Sequence, residues 1–254
     1  MNKIAAIAIN TFREAIRDKI LYAILFFSLL MLFASLALGE LSLGHNIKVM
    51  KDLGLSAISM FGILLAIFTG VSLVHKELDK RTIYTLLSKP IHRYQFILGK
   101  YLGMLFTAFV QLTILTIIFT LLLLYQQQFI DFNLYSAIFL YWVEIMLITS
   151  MALFFSSFTT PFFSGLFTFS FFIIGRLMPD IYQVLTQLKS PVTWIMLKTT
   201  TLLPNLQRLN IGPQIVHHEV LRADYLVSAS MYAFGYIALF LLFAIVLFNR
   251  RDFI

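Results

Sequence analysis

Residues 77–90 read ELDKRTIYTLLSKP, and this charged stretch separates two long apolar runs, residues 53–74 and residues 101–125. It is densely charged in a chain of 254 residues that is 60% hydrophobic and only 12% charged. A soluble domain cannot bury that much apolar surface. The chain is therefore predicted to be an all-α polytopic membrane protein, with a single membrane domain over residues 1–254.

Six apolar runs are each long enough to cross about 30 Å of hydrocarbon as a helix. They are residues 20–38, 53–74, 101–125, 134–155, 161–178 and 225–248. Helices are expected rather than strands, because the runs are long and lack period-two alternation. Six spans place both termini on one side of the membrane. Twelve of the 19 Lys and Arg residues fall on that side, which is therefore predicted to be cytoplasmic.

Two segments outside the spans are predicted to lie at the membrane surface. Residues 1–19 place apolar side chains on one helical face and charges on the other, which favours an interfacial helix. A helix packed on another protein is the alternative, and a secretory signal peptide is disfavoured by the acidic residues of this arm. Residues 179–224 are predicted to be an extracytoplasmic segment. Within it, residues 192–203 are too short to span and indicate a re-entrant or interfacial helix.

The motifs that are absent exclude several classes of activity. The chain has no cysteine, which removes disulfides, thiolate metal sites and cysteine nucleophiles. It contains no phosphate-binding P-loop, zinc-protease or Gly-x-Ser-x-Gly motif. The pair His217-His218 is more typical of a solvated surface than of a metal site. Nucleic-acid binding is not expected, since no basic stripe with interleaved aromatic residues occurs. The chain is therefore predicted to be neither an enzyme nor a metalloprotein.

Two features inside the spans predict helix contacts. Glu144 is the one acidic residue near the middle of a span, where an unpaired charge is costly. Arg176 and Lys198 are its candidate partners, and we hypothesise that the three residues line a transport path or its gate. A purely structural hydrogen bond is the alternative, and an intramembrane enzyme is disfavoured because no second catalytic group is identifiable. The spacing Gly99-x-x-x-Gly103 predicts close helix packing, more often within one chain than between two.

The charged stretch itself predicts a binding surface for a cytoplasmic partner. The second span is expected to continue as a helix through residues 71–88 until Pro90 ends it, and residues 91–100 to return along the interface. Thr82, Ile83, Leu86 and Leu87 supply an apolar side that a partner groove could cover, opposite charged residues. A solvated connecting loop is the alternative.

These residues resemble the cytoplasmic segment of the membrane permeases of ABC-type-2 transporters. The resemblance is carried by Glu77, by residues 81–93 (RTIYTLLSKPIHR) and by residues 96–101 (FILGKY). Residues 203–206 (LPNL) and the basic ending at residues 248–253 also resemble that family. Arg81 departs from it where many members have glycine, and His92 where serine is common. Within the family, the chain resembles the permeases that serve nitrous oxide reductase maturation or their uncharacterised relatives.

The resemblance implies a multi-pass permease of the cell (inner or plasma) membrane, acting as an exporter. It implies an ABC ATP-binding subunit that holds ATP and Mg, with no cofactor in this chain, and a second permease copy or close homologue. The coupling segment would be residues 75–100. The residues implied to dock the ATP-binding subunit are Glu77, Arg81, Thr82, Ile83, Leu86, Leu87, Ser88, Lys89, Pro90 and Arg93. Membrane lipid and an extracytoplasmic protein are further expected partners. A membrane scaffold that docks a cytoplasmic partner without transport is the alternative, and the substrate is left open among lipids, peptides, drugs and a maturation factor.

Overall fold

The computed structural model describes residues 3–42, 46–79, 92–126, 132–187, 203–216 and 223–250. These residues form eight α-helices and a short 3-10 helix, Leu206–Leu209, without any strand in the described ranges. The α-helices are α1 Lys3–Ile16, α2 Lys19–Leu41, α3 Asn46–Asp79, α4 Arg93–Tyr125, α5 Phe132–Ser156, α6 Pro161–Gln187, α7 Gly212–Val216 and α8 Ala223–Arg250. Six of them, α2 to α6 and α8, are long and apolar enough to cross a membrane. The predicted all-α membrane fold with six spans is confirmed.

Helix α5 lies at the centre of the bundle. Eighty-three per cent of its apolar window is buried, compared with 22% for α2 and for α6. It packs against α3 and α8, and glycines of α3 permit the close approach. Side chains at Gly62 and Gly70 would collide with Ile145 and Ala152 of α5. Small residues at a helix contact let two backbones approach closely. Such packing holds membrane helices together, because lipid is as apolar as the side chains and no hydrophobic driving force acts between the helices.

Polar contacts gather four helices at one end of the bundle, which we call the inner end. Asp18 caps α2 by accepting from the Ile20 amide at 3.1 Å, and it accepts from the Ser72 hydroxyl of α3 at 3.4 Å. At the same end, Arg93 of α4 contacts the last turn of α8. The turn between α1 and α2 and the last turn of α8 therefore both lie at the inner end. They lie beside the last part of α3 and the first turn of α4, the two helices that flank the charged stretch of residues 77–90. We call the opposite end of the bundle the outer end.

Helix α1 packs along α4 as well as carrying exposed apolar residues. A Cβ atom at Gly103 would lie 2.6 Å from Thr11 Cβ of α1, and one at Gly99 would lie 2.7 Å from Ile7 Cβ. The two glycines of the Gly-x-x-x-Gly spacing therefore receive α1. Other side chains of α1, including Ile9 at 46% exposure, are uncovered. The interfacial position of residues 1–19 stays a prediction.

Two boundaries differ from those expected. Residues 93–100 form the first turns of one continuous helix α4 instead of a separate interfacial stretch, because packing against α1 buries this part of the helix. Helix α6 continues to Gln187 instead of ending at Met178. Pro179 removes one backbone hydrogen bond, the one to the Gly175 carbonyl, but burial of Met178 and Leu185 favours continuation of the helix. The predicted helix at residues 192–203 lies almost entirely outside the described residues.

Candidate functional site

A polar cluster lies in the membrane interior, where α3, α5 and α6 meet. Arg176 of α6 donates through Nη2 to Glu144 Oε2 of α5 at 2.9 Å, and to the Ser59 hydroxyl of α3 at 2.9 Å. Of the two candidate partners for Glu144, the structure therefore brings Arg176 to it, while Lys198 lies outside the described residues. Ser59 had no signal in the sequence, because a serine inside an apolar run is common.

The two charges of this cluster are buried to different extents. The Glu144 side chain is 0% exposed, whereas that of Arg176 is 16% exposed and lies 5.6 Å from the Phe172 ring centroid. A buried charge needs a partner of opposite charge, and here Glu144 and Arg176 are each other's partner. Within the described residues, Glu144 Oε1 and Arg176 Nε have no hydrogen-bond partner. The pair holds α6, which is otherwise largely uncovered, to the centre of the bundle.

The inner end supplies a second arrangement of charged groups. Arg93 donates through Nη1 to the carbonyl oxygens of Phe248 at 2.9 Å and Asn249 at 3.0 Å. These are among the last carbonyls of α8, which lack helical partners and attract cations. One turn further along α4, the ring of Phe96 stacks on that of Phe248 with centroids 5.6 Å apart. The first turn of α4 and the last turn of α8 are thus joined by hydrogen bonds and by packing.

A buried lysine connects the same region to α1. Lys100 of α4 is 0% exposed, and its Nζ lies 3.5 Å from Glu14 Oε2 of α1. The sequence could have indicated this contact, since Lys100 lies inside the Gly99-x-x-x-Gly103 spacing that predicts a covered helix face. Together with Arg93, it makes the inner part of α4 a junction between α1 and α8.

The predicted docking residues are only partly described. Helix α3 carries the chain past its apolar run, which ends at Val74 in the sequence, and Glu77 lies near the end of that extension at Asp79. The residues from Arg81 to Pro90 lie outside the described residues, so their docking role stays a prediction. Arg93 is described, and its guanidinium group contacts α8, a use that the sequence did not reveal.

The outer end is covered by the segment that contains the 3-10 helix. The Asn205 side chain caps that helix by accepting from the Gln207 amide at 3.1 Å, and Leu206 and Leu209 are fully buried. Leu206 packs on α6 where Gly175 leaves room for it. Tyr141 of α5 donates to Asn210 Oδ1 at 3.3 Å. The segment is thereby fixed to the bundle directly outward of the Glu144–Arg176 pair.

Neither polar arrangement of the described residues has the composition of a metal centre. Within the described part of the chain, no three His, Asp or Glu residues come together as a metal site requires. The groups that do meet are suited to holding helices in one arrangement: an ion pair between spans, and a guanidinium group on a helix end.

Comparison with known families identifies the family of the chain. The family described as "ABC-2 family transporter protein" matches residues 5–253, nearly the whole chain. The match includes every helix from within α1 to the end of α8. No curated protein matches the chain. The nearer similarity to permeases of nitrous oxide reductase maturation stays a prediction.

Proposed function

The chain belongs to the ABC-2 transporter family and is a permease subunit of an ABC transporter, and from this premise we propose that it is the membrane half of an ATP-driven exporter. ATP and Mg would be held by a separate ATP-binding subunit, which docks on residues 75–100. In this proposal the inner end of the bundle is cytoplasmic, with both termini, and residues 179–224 face the opposite side. The observation that carries the proposal is the family match over residues 5–253.

The length of α3 supports a docking segment at the inner end. Its 34 residues span about 51 Å at the rise of an α-helix, well beyond about 30 Å of hydrocarbon. The helix therefore continues to Asp79, past the apolar run that ends at Val74 in the sequence. A displacement of one end of a continuous helix moves the whole helix, whereas a loop would change its own conformation instead. Glu77 and Arg81 would provide ion pairs to the ATP-binding subunit, and Ile83, Leu86 and Leu87 apolar contact.

The contacts of α4 give a route from the docked subunit to the spans. In the proposed cycle, ATP-driven closure displaces the segment between α3 and α4. Arg93 would carry this displacement to α8, and the Lys100–Glu14 contact would carry it to α1. A bistable helix assembly biased by a bound motor is the general form of such a switch.

The Glu144–Arg176 pair is suited to gating. Only 22% of the apolar window of α6 is buried, but its inner half packs on Phe155 of α5 through Phe167 and Phe171. The outer half of α6 can therefore move from α5 by pivoting on these inner contacts, with loss of the ion pair and of the contact with the segment that contains the 3-10 helix. Separating the pair inside the membrane is costly unless water or a substrate replaces the partner. We therefore assign Glu144 and Arg176 to a gate that opens when α6 moves.

A second permease copy would cover part of the exposed apolar surface. Helices α2 and α6 expose large side chains, including Phe26, Phe33, Phe162 and Phe169. Both lipid and a second copy can cover such a surface, since lipid tails are as apolar as the side chains. The proposal requires two permease chains, because two ATP-binding subunits close on each other in this cycle.

The proposal is tested by purification and transport assays. Purification in mild detergent should recover an ATP-binding protein with this chain. Replacing Glu77 and Arg81 together by Ala should reduce that recovery and uncouple ATP hydrolysis from transport. A matched control replaces one acid and one base at the outer end, Asp224→Ala with Lys48→Ala, and should leave both unchanged.

The direction and the alternative function are tested in inside-out vesicles. An exporter should load substrate into these vesicles only when ATP is added outside them. A bound ATP-binding protein whose hydrolysis moves no substrate would support the scaffold function instead. Failure to recover any ATP-binding protein in several mild detergents would contradict both the docking and the exporter proposals.

A further inference from the structure

A cavity of about 460 Å³ opens at the outer end, between α6, the 3-10 helix segment and α8. Its volume lies in the range of small-molecule sites, about 300–1,000 Å³. The described residues that form its wall come from all three elements and include Met178, Tyr182, Leu203, Asn205, Arg208 and Tyr232. The gating pair and the docking segment use none of them.

The polar wall of the cavity is held in place by backbone contacts. The Asn205 amide donates to the Tyr232 hydroxyl at 2.8 Å, and the Tyr225 hydroxyl donates to the Arg208 carbonyl at 2.8 Å. Because the Tyr232 hydroxyl oxygen accepts the hydrogen bond from the Asn205 amide, the proton of the Tyr232 hydroxyl points away from that amide. Leu206, between these two positions, and Leu209, directly after them, are buried. The cavity is therefore built on a fixed segment, which lowers the cost of ordering it around a ligand.

Among the described residues that line the cavity, the charged side chain is a cation, Arg208. Arg208 is exposed, and its guanidinium carbon lies 5.0 Å from the Tyr232 ring centroid. Among the described residues Arg208 forms no ion pair, and none of those that line the cavity is Asp or Glu. Met178, Pro179 and Leu203 supply apolar surface beside it. A cation next to an apolar wall matches a ligand that has an acidic group and an apolar body.

The cavity lies directly outward of the gating pair on the same helix. Tyr182 is six residues beyond Arg176 on α6, which is about 9 Å along the helix. Movement of α6 would change the cavity and the Glu144–Arg176 pair together. We propose that this cavity binds an acidic amphiphile, with its acidic group on Arg208 and its apolar part against Met178 and Leu203. That such a molecule is the transported substrate rests on the proposed function; the binding itself does not.

The binding is tested by photolabelling of the purified full-length chain in detergent, without ATP. The probe is a long-chain fatty acid that carries a diazirine, and its methyl ester is the uncharged comparison. The acid should label peptides that contain residues 178–182, 203–208 or 232, with an affinity about tenfold higher than the ester, as expected for one charged hydrogen bond. Arg208→Gln should lower the affinity for the acid about tenfold, and Arg208→Lys should retain most of it.

Two controls separate the explanations. Arg17→Gln removes an exposed charge at the inner end and should leave labelling unchanged, and each variant is used only if it elutes as a monodisperse peak. Displacement of the probe by phosphatidylglycerol would identify a membrane lipid as the acidic amphiphile, whereas displacement by the free fatty acid alone would identify a soluble acid. Equal labelling by acid and ester, or labelling that Arg208→Gln and Arg208→Lys leave unchanged, would overturn the inference. Such a failure leaves recovery of the ATP-binding protein unaffected, so it is distinct from failure of the proposed function.

Discussion

Replacing Arg176 by Met is expected to destabilise the chain more than replacing Glu144 by Gln, although each removes one member of the same ion pair. Arg176→Met leaves a carboxylate that is 0% exposed without its cation. Glu144→Gln leaves a guanidinium group that is 16% exposed and still donates to Ser59. The burial of the remaining charge therefore sets the order of the two effects.

The magnitudes follow from this difference. Stranding a buried charge costs about 3–5 kcal/mol, which is the expected loss for Arg176→Met. Loss of one charged hydrogen bond costs about 1.5–3 kcal/mol, and the lower end is expected for Glu144→Gln because Arg176 keeps a partner and partial exposure. The double variant removes both charges, so it should be more stable than Arg176→Met alone by about 1–2 kcal/mol.

The assay is equilibrium unfolding by SDS in mixed micelles, followed by tryptophan fluorescence. The chain has two tryptophans, and Trp142 lies two residues from Glu144 on α5. Leu177→Met, on the exposed face of α6 next to Arg176, is the matched control and should change the free energy of unfolding little. The reasoning about the buried pair would be refuted if the two substitutions changed the free energy of unfolding additively in the double variant. It would also be refuted if Glu144→Gln lowered that free energy more than Arg176→Met.

Three further outcomes are expected. Gly103→Val should displace α1 and lower the free energy of unfolding by about 1–3 kcal/mol. Gly235→Val is the control and should not lower it, because a Cβ at Gly235 meets nothing within 4 Å. Equal melting temperatures for the two variants would contradict the α1–α4 contact. Arg93→Gln should lower transport per ATP hydrolysed, with Arg93→Lys restoring part of it; unchanged coupling in a transport assay would remove this role. A single cysteine introduced at Ser88 should react with an impermeant maleimide only in opened cells, and one introduced at Gln127 should react in intact cells. The chain has no native cysteine, so the labelling has no background from the chain itself. The reverse pattern would show that the predicted topology is inverted.

The six spans could be predicted because long apolar runs leave a backbone in lipid little choice except a helix. A partner for Glu144 could be predicted for a similar reason, since an unpaired charge in the membrane is costly, and Arg176 was one of two candidates. The Gly99 and Gly103 spacing predicted close packing but not its occupant. Only the packed structure shows that α1 is the occupant, with Ile7 and Thr11 against the two glycines.

Other features left no signal in the sequence. Arg93 binds carbonyl oxygens of α8, and every residue has a carbonyl, so the acceptor could not be chosen from residue types. Pro179 indicated the end of a helix, but the burial of Met178 and Leu185 on a continued helix outweighs one lost hydrogen bond. The cavity at Arg208 brings together residues from three segments that are distant in sequence. Only the packed chain shows these contacts.

The central claim is that a separate ATP-binding subunit grips the segment that follows α3, and photo-crosslinking from within that segment tests it most directly. A photoreactive phenylalanine analogue at Ile83 would lie on the apolar side that the proposal buries, and one at Gln127, two residues after the end of α4 in the sequence, is the control. Irradiation of living cells should yield one adduct from position 83, containing an ATP-binding protein, and none of that size from position 127. Adducts with lipid alone at position 83, or capture of the same ATP-binding protein from position 127, would contradict the account.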